Sequence, residues 1–194
     1  MGGLGGYSAD PLGNAVDRFS NALFYNSPVL NGIQVNATVG SRESAGAPAV
    51  VNPFSIATTY RNGPAALLFA YERNAALHTL KSVAGYVMVT PETKVMASLS
   101  YQDQGSTRPL NQDTKAWLVG ANHTLGASKI LAGYGQKQVD GLNKVKQISM
   151  GYEFSLSKRT YIYTDVSNKK GAPAVAPGSA NSIKLYSLGV NHAF

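Results

Sequence analysis

The sequence predicts an all-β chain folded as a transmembrane antiparallel β-barrel, with about eleven strands present. Three observations predict it. Apolar and polar side chains alternate with a period of two from end to end, connections switch between short and long, and tyrosines gather near strand ends on the apolar side.

Strands are expected to begin near Arg18, Gly32, Pro53, Pro64, Leu80, Lys94, Asp113, Ser128, Lys144, Arg159 and Ser182. In the second, Ile33, Val35, Ala37 and Val39 alternate with Gln34, Asn36 and Thr38. The sixth is clearest: Val95, Ala97, Leu99 and Tyr101 face one way, and Lys94, Met96, Ser98, Ser100 and Gln102 the other. In the ninth, Ile148, Met150, Tyr152 and Phe154 alternate with Gln147, Ser149, Gly151 and Glu153. The last sets Tyr186, Leu188, Val190, His192 and Phe194 against Ser187, Gly189 and Asn191. Strict alternation specifies strand rather than helix, and each segment is near the ~9–11 residues a tilted strand needs to cross a bilayer.

Short turns are expected at 27–31, 62–63, 90–93, 126–127 and 155–158. Longer links rich in Gly, Pro, Ser and Asn are expected at 42–52, 74–79, 103–112, 136–143 and 168–181. A transmembrane barrel sorts its connections in this way, with short turns on the periplasmic side and longer loops outside. Tyr25, Tyr60, Tyr71, Tyr101, Tyr134 and Tyr152 fall near strand ends on the apolar face. There an amphipathic ring keeps its hydroxyl wet and its body in lipid; the plainer reading is the ordinary preference of tyrosine for strands.

Composition narrows the classes further. The 194 residues carry 17 Lys and Arg against 10 Asp and Glu, a net charge of +7. The bases are scattered, with neither the basic stripe nor the module of a nucleic-acid binder, so no nucleic-acid partner is expected. On a hollow fold, spread positive charge biases the interior towards anions. No apolar stretch approaches the roughly 18 residues of a membrane-spanning helix. The opening Met1-Gly2-Gly3-Leu4-Gly5-Gly6 lacks the basic and apolar regions of a signal peptide. Cysteine is absent, which fits export without disulfides and equally a cysteine-free cytosolic chain.

Parity then assigns the groups that would keep a lumen wet. The candidate pore-lining residues are Arg18, Ser20, Ala22 and Phe24; Gln34, Asn36 and Thr38; Arg61; Glu72; Lys94, Ser98, Ser100 and Gln102; Asn122; Lys129; Gln147 and Glu153. No covalent step occurs in such a pore, and fixed charge sets ion preference. Arg18 and Lys94 are singled out because cations in a narrow low-dielectric passage concentrate anions. The alternative for any one of them is that it only fills space. An enzyme is not expected: the three histidines are spread out, His123 and His192 share parity with apolar neighbours, and His78 lies in a link without an acidic neighbour. Neither a cofactor nor a metal is expected: the alternative for Asp10 and Asp17 is Ca²⁺ binding, but isolated loop carboxylates are more often solvated, and the glycine-rich opening lacks a phosphate-cradle context.

Three segments carry a family resemblance: RFSNALFYNSP at 18–28, SLSKRTYIY at 155–163 and GVNHAF at 189–194. They resemble the strand after the constriction loop, a tight turn with its following strand, and the terminal strand of Gram-negative general porins of the β-proteobacterial type. The resemblance implies a sixteen-stranded barrel, assembled as a homotrimer, of which this sequence holds strands six to sixteen. It implies that residues 1–17, with Asp10 and Asp17, are the tail of a constriction loop and that 18–194 form the barrel wall. It further implies Phe194 as the signal read by the barrel-assembly machinery, contact with outer-membrane lipid and lipopolysaccharide, and location in the bacterial outer membrane. Single-chain bacterial barrels have even strand numbers, so an odd number implies an N-terminally truncated chain. Phe24 stands where the family often has arginine, Asn26 where it has aspartate and Asn191 where it has a base, so the cationic side of the constriction is weaker here.

The function expected is passive diffusion of small hydrophilic solutes and ions, with weak anion preference. The alternatives are a soluble β-sandwich binding domain and a plugged adhesive or structural barrel. Eleven strands leave two edges, which predicts an open curved sheet or a strained smaller closure.

Overall fold

A computed structural model describes residues 21–41, 51–75, 77–103, 113–141, 144–171 and 182–194. Apolar–polar alternation becomes eleven strands among the described residues: β1 Ala22–Asn26, β2 Ile33–Gly40, β3 Phe54–Asn62, β4 Ala65–Arg73, β5 Thr79–Met88, β6 Thr93–Asp103, β7 Thr114–Leu125, β8 Ser128–Val139, β9 Val145–Ser155, β10 Thr160–Lys170 and β11 Ser182–His192. They form one antiparallel sheet in which each strand pairs with its neighbours in sequence, from β1 to β11. Among the described residues β1 and β11 do not pair, so the sheet is open. The all-β expectation holds, and so does the strand count.

Turn chemistry fixes the short edge of the sheet. Asn31 and Gly32 both take positive φ, +50° and +82°, and reverse the chain so that Leu30 and Ile33 exchange backbone bonds of 2.9 Å. Positive φ at both central positions favours an Asn-Gly pair. A Cβ at Gly32 would also strike the Arg61 carbonyl. The β5–β6 and β9–β10 turns repeat one device: the hydroxyl of Thr90 or Ser157 accepts from the backbone N–H of Thr93 or Thr160, both at 3.1 Å. Side chains that mimic a backbone turn in this way suit short reversals. Every short turn follows an odd-numbered strand and every longer link an even-numbered one, so they collect on opposite edges.

Several boundaries differ from the sequence reading. The β3–β4 turn is Gly63-Pro64, because Asn62 still pairs with Ala65. β8 continues to Val139 and β10 to Lys170, shortening the links placed at 136–143 and 168–181. Tyr134 therefore lies mid-strand. β11 ends at His192; Ala193 makes one more backbone bond to Arg159, and Phe194 lies beyond, fully exposed, its ring 5.0 Å from His192. Arg18, Ser20, Asp10 and Asp17 lie outside the described residues.

The two faces are inside-out relative to a soluble protein. On one stand Leu67, Phe69, Val83, Leu99, Ile148 and Leu188, with Leu99 63 % and Ile148 54 % exposed. On the other stand the four buried polar residues Gln102, Thr114, Ser149 and Ser167, Gln102 5 % exposed and Thr114 fully buried. Water-soluble folds hide apolar side chains and expose polar ones. Here the polar face is the more crowded, as on the concave side of a curved sheet, and no second layer covers the apolar face among the described residues. The described strands form one layer, not the two of a β-sandwich. Val95, Leu99 and Ile148 are exposed and Phe154 half-buried.

Candidate functional site

Register, not only parity, brings the polar candidates together. One cross-strand row on the polar face runs from Phe24 through Thr38, Ser55, Glu72, Leu80 and Gln102 to Thr114, crossing β1 to β7. A second joins Gln34, Thr59, Leu68, Ala84, Ser98, Leu118, Gly135, Gln147 and Lys169, crossing β2 to β10. Asn36, Ser82 and Ser100 belong to a third, where the two serine hydroxyls lie 3.1 Å apart. Arg61, Lys94, Asn122, Lys129 and Glu153 occupy the same face nearer the short-turn edge. Every described residue named as a pore-lining candidate thus shares one face.

The face is charged but partly neutralised. Lys129 and Glu153 are directly opposite on β8 and β9, and their ion pair measures 2.9 Å with both side chains a quarter to a third exposed. Lys94 Nζ stands 4.7 Å from the centre of the Tyr86 ring across β5 and β6, a cation–π geometry that fixes the ammonium over the sheet. Asp165 accepts from the Ser187 hydroxyl at 3.1 Å. The described polar face carries the bases Arg61, Lys94, Lys129, Lys137 and Lys169 against the acids Glu72, Glu153 and Asp165. Lys137, Asp165 and Lys169 are not among the residues the sequence singles out. Lys137 and Lys169 fall in segments read as links; Asp165 shares parity with Ser167, the signal that locates it.

Small residues are frequent on this face. Gly120, Gly133, Gly135, Gly151 and Gly189 all belong to it. Leu68, Met88, Met96, Leu118 and Leu131 also stand there, half-buried, so the polar face is mixed rather than uniformly hydrophilic.

The apolar face carries two of the histidines. His123 and His192 each share a hydrogen bond of 2.8 Å between Nδ1 and a threonine hydroxyl, Thr93 and Thr160 respectively, at the short-turn edge. Such pairs satisfy polar groups at the border of an apolar band and provide no carboxylate-oriented base. Among the described residues no group of three or more His, Asp or Glu is arranged to hold a metal ion.

Tyr25, Tyr60 and Tyr152 stand on the apolar face towards the short-turn edge, and Tyr71 and Tyr101 towards the other. Tyr134 packs edge-on against Trp117 at 5.4 Å from inside the band. Two aromatic borders therefore enclose the apolar zone.

Solved structures share this architecture. A porin structure refined at 1.8 Å resolution aligns over 89 % of this chain and 61 % of its own, with TM-score 0.68 and 18 % identity. OmpT, an outer membrane protein of Vibrio cholerae, aligns over 88 % and 64 %, with TM-score 0.69 and 13 % identity. A substituted porin of Rh. blastica aligns over 89 % and 54 %, with TM-score 0.60 and 16 % identity. The chain thus spans about three fifths of the length of these relatives in fold. No curated protein matches it in sequence. The family model described as Gram-negative porin matches residues 1–172, most of the chain. With its exposed apolar band and polar reverse face, the chain belongs to the Gram-negative porin family, whose place is the bacterial outer membrane.

Proposed function

We propose that these strands form part of the wall of a water-filled pore through which small hydrophilic solutes and ions diffuse passively, with weak preference for anions. The observation that carries this is the inverted sheet: exposed leucines, isoleucines and valines on one face, buried serine, threonine and glutamine on the other. Hydrocarbon on the first side and water on the second make that arrangement favourable. In this reading Phe24, Gln34, Asn36, Arg61, Glu72, Lys94, Ser98, Gln102, Lys129, Gln147 and Glu153 line the lumen, joined by Arg18 and Ser20. The excess of bases over acids on the described polar face supports the anion preference, and the Lys129–Glu153 pair limits it.

The open sheet and the relatives' greater length support a complete barrel of about sixteen strands. Residues 1–17 then narrow the lumen, the long links face outward from the cell, and three barrels assemble around one axis as in the β-proteobacterial type. Phe194 is exposed at the end of the last strand, open to the assembly machinery, and lipopolysaccharide surrounds the apolar band on the outer side.

Planar-bilayer recording of the protein purified from its own outer membrane tests this. Stepwise conductance, with a reversal potential shifted towards that of Cl⁻ in a KCl gradient, is expected. A well-inserted protein that stays silent would rule out the pore and favour a plugged barrel.

A further inference from the structure

Three side-chain oxygens of the polar face are shut off from solvent and have no hydrogen-bond partner among the described residues: Glu72 Oε1, Gln102 Oε1 and Thr114 Oγ1. Register puts all three in one row at the long-link edge, on β4, β6 and β7, with Leu80 of β5 between Glu72 and Gln102. Gln102 is directly opposite Thr114. With Gln102 5 % exposed and Thr114 fully buried, bulk water reaches neither. Native folds pair nearly all their buried polar atoms, so three orphans in one row mark a bound water or a bound ion.

Charge selects the ion. Glu72 is half-buried and makes no ion pair among the described residues, whereas Glu153 has Lys129 and Asp165 has the Ser187 hydroxyl. Lys137, a base of the same face one row further in on β8, has an interaction of its own. A carboxylate taken out of water without a counter-charge is costly, and a cation offsets that cost where a water molecule does not. The donor set is oxygen only: a carboxylate, an amide carbonyl and a hydroxyl. Such donors suit a hard cation. One acid with two neutral oxygens also differs in kind from the groups of three His, Asp or Glu that the described residues lack.

We propose that Glu72, Gln102 and Thr114 hold a Ca²⁺ ion that ties β4, β6 and β7 together at the long-link edge. Neighbouring strands lie about 4.8 Å apart, so Glu72 and Gln102, on alternate strands, start roughly 10 Å apart on the sheet. Two long side chains reaching over Leu80 from either side leave room for a cation with oxygens at roughly 2.3–2.6 Å. Glu72 and Gln102 bind the metal directly, and Thr114, one strand further, accepts from a metal-bound water. Other waters complete the coordination. With a single carboxylate the site is weak, in the range of about 10⁻⁴–10⁻³ M that suits an extracellular calcium level. It depends on this row of oxygens and not on whether the barrel conducts.

The test is equilibrium dialysis against Ca²⁺ together with thermal unfolding at constant ionic strength. The protein is purified from its outer membrane, freed of lipid in neutral detergent and stripped with EDTA. The parent should bind an ion that the E72Q variant does not, and its unfolding midpoint should rise with Ca²⁺. E72Q should weaken the site at least about tenfold and T114V about threefold; Q102E, which adds a second carboxylate, should tighten it about tenfold. A gain of affinity in Q102E cannot come from misfolding, so the test stays decisive if E72Q folds poorly. Equal Ca²⁺ binding by parent and E72Q overturns the proposal. So does a Q102E variant that binds no tighter than the parent, or a midpoint rise that Na⁺ reproduces at the same ionic strength. A parent indifferent to Ca²⁺ in both measurements also overturns it and leaves the three oxygens to buried water.

Discussion

Tyr163 covers Gly189. The two residues face one another across β10 and β11 on the polar face, and a Cβ at 189 would stand 2.5 Å from the phenol oxygen and 2.6 Å from the ring carbon that bears it. An aromatic ring laid over a cross-strand glycine shields its backbone and fixes the register of the last hairpin. Gly189→Val should therefore displace the ring and destabilise the sheet by roughly 1–3 kcal/mol, the range for inserting methylenes into a packed site. Urea unfolding in detergent micelles measures it. An unchanged midpoint would show that the ring is free to move aside.

Leu99 and Ser98 are neighbours in β6 that meet different surroundings: Leu99 is 63 % exposed on the apolar face, while Ser98 is on the polar face between Ala84 and Leu118. Leu99→Arg should cost about 2–4 kcal/mol at the middle of a bilayer, and Ser98→Arg little. Folding free energies measured in lipid vesicles decide between them. Equal costs for the two substitutions would count against the assignment of faces.

These faces were legible in the sequence because β6 and β9 are half apolar and half polar throughout the bilayer span. The signal fades where a strand leaves the span. Gln136, Lys137 and Gln138 on β8, and Asn168, Lys169 and Lys170 on β10, are polar on both faces, so alternation vanishes although the backbone ladder continues. For that reason the strands look shorter in sequence, and Lys137 and Lys169 pass for link residues. Cross-strand partnerships are illegible for a different reason. Lys129 and Glu153 are 24 residues apart, and only the register of β8 on β9 makes them neighbours.

The Lys129–Glu153 pair gives a charge prediction with a definite sign. Glu153→Gln removes an acid from the polar face and leaves the Lys129 ammonium uncompensated, so on the proposed pore reading the lumen becomes more positive. Cl⁻ permeability relative to K⁺ should rise, because fixed charge sets the local counter-ion concentration. The thermodynamic cost should be small, about 0–1 kcal/mol, as for partly exposed pairs generally. Reversal potentials in a KCl gradient measure the first effect and thermal unfolding the second. An unchanged reversal potential would place the pair outside the ion path.

Phe24 tests the other end of the polar face. It lies opposite Thr38 at the head of the row that leads through Glu72 to Gln102, and the residue is 73 % exposed among the described surroundings. On the proposed pore reading the ring stands at a wetted position, where it contributes neither charge nor hydrogen bonds, so replacing it adds a new interaction without breaking one. Phe24→Arg introduces a guanidinium that stays charged at every working pH. Its charge should raise Cl⁻ over K⁺ permeability, most strongly at low salt, where the Debye length is about 30 Å at 0.01 M and screening is weak. At about 1 M the length falls to roughly 3 Å, and the difference from the parent should nearly disappear. Stability should change little, since no packed neighbour is lost. Reversal potentials at both salt concentrations separate a lumenal arginine from one pointing elsewhere: a salt-independent, unaltered selectivity would remove Phe24 from the pore wall.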